Sequence, residues 1–198
     1  MSDMANGPAY ITHLVSVEEY HRMARGGVFD AGTRIELIDG ELIERVSPST
    51  PPHASAVYHL TQHLNRAFAD FAMVRVQSPI TLGSMSEPEP DIALVSFDEY
   101  EYQRRHPTLS DVFLLLEATD STLWSDRRKK MPFYARRNVA EVWLVDLVNT
   151  CLHAYREPKS GTYTVVRRFE RGERIAPLAF PTLVLEITDL LPRFRSEP

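Results

Sequence analysis

Cysteine is nearly absent: the chain of 198 residues has one, Cys151. A lone thiol makes no internal disulfide, and no CxxC or Cys/His grouping of zinc-site spacing surrounds it. A reducing cytoplasm is therefore the expected setting. Long apolar runs are also missing, since no segment approaches the ~20 residues a membrane helix needs. The opening "MSDMANGPAYITHLVS" lacks the basic start and apolar stretch of a secretory signal. Nor is basic charge in excess: 22 Lys and Arg against 27 Asp and Glu leave a formal net charge of -5. That balance argues against a protein that coats nucleic acid by neutralising many phosphates, while leaving room for a local basic groove. Nothing matches a Walker loop, a dinucleotide fingerprint or a nucleophile elbow.

What is present fits an ordinary globular chain, with 43% hydrophobic and 25% charged residues. The length suits one substantial core, so a single domain over 1–198 is expected, with flexible ends at 1–10 and 193–198. Positive charge is clustered in "YQRRH", "DRRKK", "YARR" and "VVRRFERGER".

A short helix is expected over "SVEEYHRMA", with Ser16 capping and Glu18 and Glu19 at the positive end of its dipole. "RIELIDGELIERVS" reads as a hairpin, because Asp39-Gly40 supplies the positive backbone angles of a tight turn. Val57, Leu60, Leu64, Ala67, Phe68 and Phe71 recur at helical period, predicting a helix over 53–71 with one buried face. "MVRVQSPITLG", "PDIALVSF" and "VFLLLEAT" read as strands, with a mobile polar connection at "DEYEYQRRHPTLS". A helix over 125–137, started or bent by Pro132, precedes the strands "AEVWLVDL", "TCLHAYRE" and "TYTVVRRFE". The class is α+β, shading into α/β, with a mixed sheet flanked by helices on both faces.

Two acids interrupt this pattern. Asp91 starts the "DIALV" strand and Glu117 lies near the end of "VFLLLEAT". If the strands are neighbours, two carboxylates meet at one edge of the core, which is costly unless a cation or hydrogen bonds compensate. Hard oxygen ligands suit Mg²⁺ or Mn²⁺. On the following helix, Asp126, Lys130 and Tyr134 fall four apart and share a face, so Lys130, not its neighbour Lys129, can point at that edge while Asp126 and Tyr134 steady it. Taken singly, each residue also has an ordinary reading: a turn aspartate, a strand-end glutamate, a surface lysine.

Together, "QSPITLGSMSEPEPDIALV", "LLLEATDSTLWSDRRKKMPFYARRNVAEVWLVDL" and "RIELIDGELIERVSPSTPPH" resemble the restriction-endonuclease family, long filed as a domain of unknown function, within the PD-(D/E)XK nuclease superfamily. The likeness runs from about Arg34 to Leu147 and continues more loosely to "FPTLVLEITDLLP". It implies a restriction-endonuclease-like core and a Mg²⁺-dependent phosphodiesterase site. Asp91 matches the motif's first acid and Glu117 its second, and these two, with the backbone carbonyl of Ala118, are the implied metal ligands. The superfamily's lysine normally stands two residues after the second acid, where this chain has Thr119; in this family the lysine moves to the next helix, at Lys130. His53 and Gln77 also fall on the family pattern, His53 to brace the helix it starts and Gln77 to face the site from a neighbouring strand. Glu36 and Glu41 flank the hairpin turn, and Glu41 is the weak third ligand. His59, His63, His106 and His153 have no metal spacing with one another and receive no role.

The expected activity is Mg²⁺- or Mn²⁺-dependent hydrolysis of DNA, with a homodimer plausible for cutting both strands of a twofold site. The competing readings are a catalytically silent member of the fold that binds nucleic acid or protein, and a metal-dependent hydrolase acting on RNA or a smaller phosphodiester.

Overall fold

Helix α1, Val17–Arg25, starts where the sequence supplies a capping box: Ser16 Oγ accepts from the Glu19 amide at 3.2 Å, and Glu19 Oε2 accepts from the Ser16 amide at 2.9 Å. The computed structural model describes residues 11–44, 50–120 and 124–192, with the side chains of 124–129 outside the description. Strands β1, Ile35–Ile38, and β2, Glu41–Glu44, form the expected hairpin, with φ of 50° at Asp39 and 85° at Gly40. This hairpin stands apart from the main sheet. It is held by backbone pairing of Leu37 with Glu87 and by Asp39, whose carboxylate accepts from both Arg136, at 2.8 Å, and Arg137.

Helix α2 runs from Pro51 to Phe68. Thr50 caps it by accepting from the His53 amide at 3.3 Å, and prolines open its first turn, where an amide would have no helical partner. Its inner face buries Ala56, Val57, Leu60, Leu64 and Phe68. The expected helix to Phe71 is cut short: the chain turns after Phe68, and Phe71 is 49% exposed, with its ring edge-on to Phe180.

The main sheet has six strands in sequence order: β3 (Met73–Val76), β4 (Ile92–Val95), β5 (Val112–Thr119), β6 (Glu141–Asp146), β7 (Cys151–Lys159) and β8 (Thr162–Phe169). Only β5 and β6 pair in parallel, joined by helix α3, Trp124–Arg136; the other neighbours are antiparallel. The longer strand expected from Met73 stops at Val76, because Gln77 takes a φ of 43° and Pro79 follows. Two short strands, β9 (Arg174–Ile175) and β10 (Leu185–Glu186), and helix α4 (Ile187–Leu190) complete the described chain. The connection after β4, expected to be mobile, is fastened: Asp98 Oδ1 accepts from the Tyr100 and Tyr102 amides at 3.0 Å each, and buried Tyr102 donates its hydroxyl to the Ser96 carbonyl at 2.9 Å. No helix among the described residues is long and apolar enough to cross a membrane.

Strand alternation splits the core into two layers. Ile92, Leu94, Leu114, Leu116 and Ala118 pack with α2, while Ala93, Val95 and Leu115 pack on the face that carries Phe133 and Tyr134 of α3. Glu117 continues the Leu115 row, so the sheet aims this carboxylate at α3.

Gly40 tests the hairpin's seating. A Cβ there would lie 2.7 Å from Leu14 Cβ and 3.1 Å from Met85 Cε at a left-handed φ. Gly40→Ala should therefore lower stability by about 1–2 kcal/mol or more in urea unfolding; an unchanged midpoint would contradict the seating.

Candidate active site at the end of the sheet

Asp91 stands one residue before β4 and is 3% exposed. Its Oδ2 accepts from the Ala118 amide at 2.9 Å and shares a hydrogen bond with His53 Nε2 at 3.0 Å, while Gln77 Nε2 lies 3.4 Å from Oδ1. The first turn of α2 thus reaches the strand end through His53. Thr50 adds a second tie, donating its hydroxyl to Asp120 at 2.8 Å. Burial alone would push the Asp91 carboxyl up; the bond and charge of His53, the charge of Lys130 and the Ala118 amide outweigh it and hold the group at about 2.

Glu117 is 6% exposed, and its Oε1 accepts from the Tyr134 hydroxyl at 2.7 Å and from Lys130 Nζ at 3.1 Å. Lys130 and Tyr134 stand one helical turn apart on α3 and so reach the same oxygen. Lys130 Nζ also donates to Glu36 Oε1 at 3.3 Å, bringing β1 into the cluster. Burial, with the charges of Asp91 and Glu36, pushes Glu117 up to about 7 in spite of Lys130 and Tyr134. Burial also raises the Tyr134 phenol well above its ordinary range, reinforced by the neighbouring acids, so this hydroxyl is a donor at neutral pH.

The structure thus brings Asp91, Glu117, Lys130, Tyr134, His53, Gln77 and the Ala118 peptide to one end of the sheet. Asp126 has its side chain outside the described residues. Glu41 is exposed, and it is Glu36, 3% exposed, that enters the cluster. Alternation alone could not choose between them: Ile38 pairs with Glu41 and Glu36 with Ile43, so both glutamates lie on one face of the hairpin. Glu36 is the one that Lys130 of α3 reaches, while Glu41, beside the turn, stays exposed.

Among the described residues, the arginines of the basic clusters are largely committed elsewhere. Arg105 pairs with Asp98 and Asp111, Arg136 and Arg137 with Asp39, Arg167 with Glu173, Arg168 with Glu170 and Arg174 with Glu186. Exposed pairs of this kind are worth only about 0–1 kcal/mol, so an incoming phosphate could exchange for the acid.

The donor set answers whether a metal fits. Carboxylate oxygens and a peptide carbonyl are hard ligands, and three buried acids, Asp91, Glu117 and Glu36, gather around one lysine, an acid-rich site whose charge a divalent cation would offset.

A family model described as "Uma2: Putative restriction endonuclease" matches residues 17–188. The chain belongs to this family. In fold, this Uma2 member is similar to the crystal structure titled a putative nuclease belonging to DUF820 from Anabaena variabilis, with a TM-score of 0.68 at 17% identity, over 89% of this chain and 97% of that one. No curated protein matches the sequence. The six-stranded mixed sheet with flanking helices is a restriction-endonuclease-like fold, in keeping with the family description.

The raised Glu117 carboxyl makes stability depend on pH. Its folded value, about 7, lies above its ordinary 4.5, so its contribution is full below about 4.5 and is lost as pH rises through about 7. The Asp91 contribution runs the other way: it is present above the ordinary 3.8 and lost only as pH falls through about 2, outside this window. The urea midpoint of metal-free protein should therefore decline between those two Glu117 values, and Glu117→Gln should flatten the decline. Equal slopes in the two proteins would contradict the burial of an ionisable Glu117.

Proposed function

We propose that this Uma2 protein is a Mg²⁺-dependent endonuclease that hydrolyses DNA phosphodiester bonds, built as a single restriction-endonuclease-like domain. The observation that carries the reading is the convergence of Asp91, Glu117, Glu36 and Lys130 at one sheet end, where Lys130 Nζ joins Glu117 at 3.1 Å to Glu36 at 3.3 Å. Asp91, Glu117 and the Ala118 carbonyl would hold Mg²⁺ or Mn²⁺, which when bound supplies Lewis-acid activation of water and offsets phosphate charge.

The protein's own groups do the rest. His53 and the Ala118 amide fix one oxygen of Asp91, and among the described residues the other has a long contact to Gln77. Tyr134 fixes Glu117 Oε1. Lys130, tethered between Glu117 and Glu36, orients the attacking water and stabilises charge growing on the phosphate, an effect strengthened where water is excluded. Nothing among the described residues argues for the expected homodimer, which is not carried forward.

Asp91→Ala and Glu117→Ala should each abolish Mn²⁺ binding at the sheet end in calorimetric titration while keeping the circular dichroism spectrum; unchanged affinity in both would remove this metal site. Lys130→Ala should retain Mn²⁺ binding and lower DNA cleavage by about a hundredfold or more, the scale of one lost electrostatic catalytic group. Near-normal cleavage by a folded Lys130→Ala protein would contradict its role. The substrate is tested by incubating the protein with plasmid, linear DNA and RNA, with Mg²⁺ or Mn²⁺ and with chelator. Metal-dependent DNA cleavage is expected; cleavage of RNA alone, or of nothing, would favour the RNA hydrolase or the silent binding protein.

A further inference from the structure

Outside the sheet-end cluster, His21 of α1, Glu87 ahead of β4 and His106 of the 98–111 connection present ligand atoms all within 4.8 Å of one another. In sequence the two histidines are 85 residues apart and show no metal spacing. We propose that these three side chains form a second metal site, one that takes a divalent transition-metal ion of the zinc class.

Glu87 is 3% exposed, and its two oxygens are already divided as a ligand carboxylate's would be. Oε1 lies 2.7 Å from His21 Nε2, and Oε2 accepts from the Thr81 hydroxyl at 3.0 Å. The Thr81 bond is the outer support that orients a metal-binding carboxylate. Backbone pairing with Leu37 on both sides, at 2.7 Å and 3.4 Å, fixes the residue that carries it. His106 supplies an independent observation: its Nδ1 is sealed from solvent and has no hydrogen-bond partner among the described residues. Buried polar nitrogens in folded proteins nearly always have a partner. The His21 and His106 rings meet edge to face at 6.1 Å, so both imidazoles border the buried carboxylate.

Two imidazoles and one carboxylate are the ligands of a three-coordinate protein site for Zn²⁺ with one position open, and their nitrogens select against Mg²⁺. Zinc bonds of about 2.0–2.2 Å place ligand atoms roughly 3.3 Å apart, so modest side-chain rotations would close the set. The ion would take the place of the hydrogen between His21 Nε2 and Glu87, the neutral imidazole then carrying its proton on Nδ1. Of the charges acting on His106, Glu87 is the largest; Arg75 and His21 oppose it and Glu89 adds to it. Bound metal would clamp α1 and the 98–111 connection to the segment that leads into Asp91 and pairs with the strand carrying Glu36. The other converging group, Asp146, Cys151 and His153, is a poorer candidate, because both Asp146 oxygens already accept from the Val148 and Asn149 amides and the Asn149 side chain.

The test uses chelator-stripped full-length protein carrying Glu117→Gln, which weakens the sheet-end site, titrated with Zn²⁺ by calorimetry and with Co²⁺ by visible absorption. One equivalent should bind, unopposed by millimolar Mg²⁺. His21→Gln and His106→Gln should each weaken it by about a hundredfold or more, and Thr81→Val by about tenfold, the usual scale for an outer partner. Cys151→Ser should leave it unchanged. The proposal is overturned if the parent binds no Zn²⁺, if both histidine variants bind as tightly as the parent with native circular dichroism, or if Cys151→Ser abolishes binding.

Discussion

Burying a carboxylate costs several kcal/mol unless hydrogen bonds or a cation compensate, and this fold buries Asp91, Glu117 and Glu36 at one end of its sheet. The surrounding architecture supplies the compensation. The β5–α3–β6 crossover lays α3 over the Leu115–Glu117 row, so that Lys130 and Tyr134 reach Glu117. Helix α2 begins where His53 meets Asp91, and the detached hairpin closes the far side with Glu36. Lys130 joins the acids from β1 and β5. Removing it would leave Glu36 and Glu117 to repel one another in a site of low polarity, and breaking such a buried pair typically costs about 3–5 kcal/mol.

Much of this was legible from residue patterns. Alternation and helical period placed the central strands, α2 and α3, and Asp39-Gly40 marked the hairpin, because each depends on contacts close in sequence. Spacing of four on α3 pointed to Lys130, whose Nζ does meet Glu117, while the side chains of Lys129 and Asp126 lie outside the described residues. The misreadings came where tertiary contacts decide. Phe71 fits the period of α2, yet the helix ends at Phe68. The run from Met73 fits a longer strand, yet Gln77 adopts a positive φ. Glu36 and Glu41 share a hairpin face, and only the packing of the hairpin against α3 distinguishes them. His106 and His21 become neighbours only through the fold, which no spacing rule reports.

These features give the molecule two regions of differing chemistry. The sheet end offers oxygen ligands around a lysine, suited to a hard cation and a phosphate; the α1 face offers imidazoles around a buried glutamate, suited to a borderline one. The Glu87–Leu37 pairing lies between them, next to Glu36 in the chain, so the hairpin is common to both.

The central claim is that the sheet end holds more negative charge than Lys130 can balance and therefore takes a divalent cation through Glu117. Proton release on Mn²⁺ binding measures this directly. Calorimetric titration at about pH 6, in buffers of different ionisation enthalpy, counts the protons displaced. With Glu117 titrating near 7, close to one proton should leave per ion bound to the wild type, whereas Glu117→Gln, whose sheet-end site is weakened, should lose both that binding and that release. Binding without proton release, or equal release in both proteins, would contradict the account.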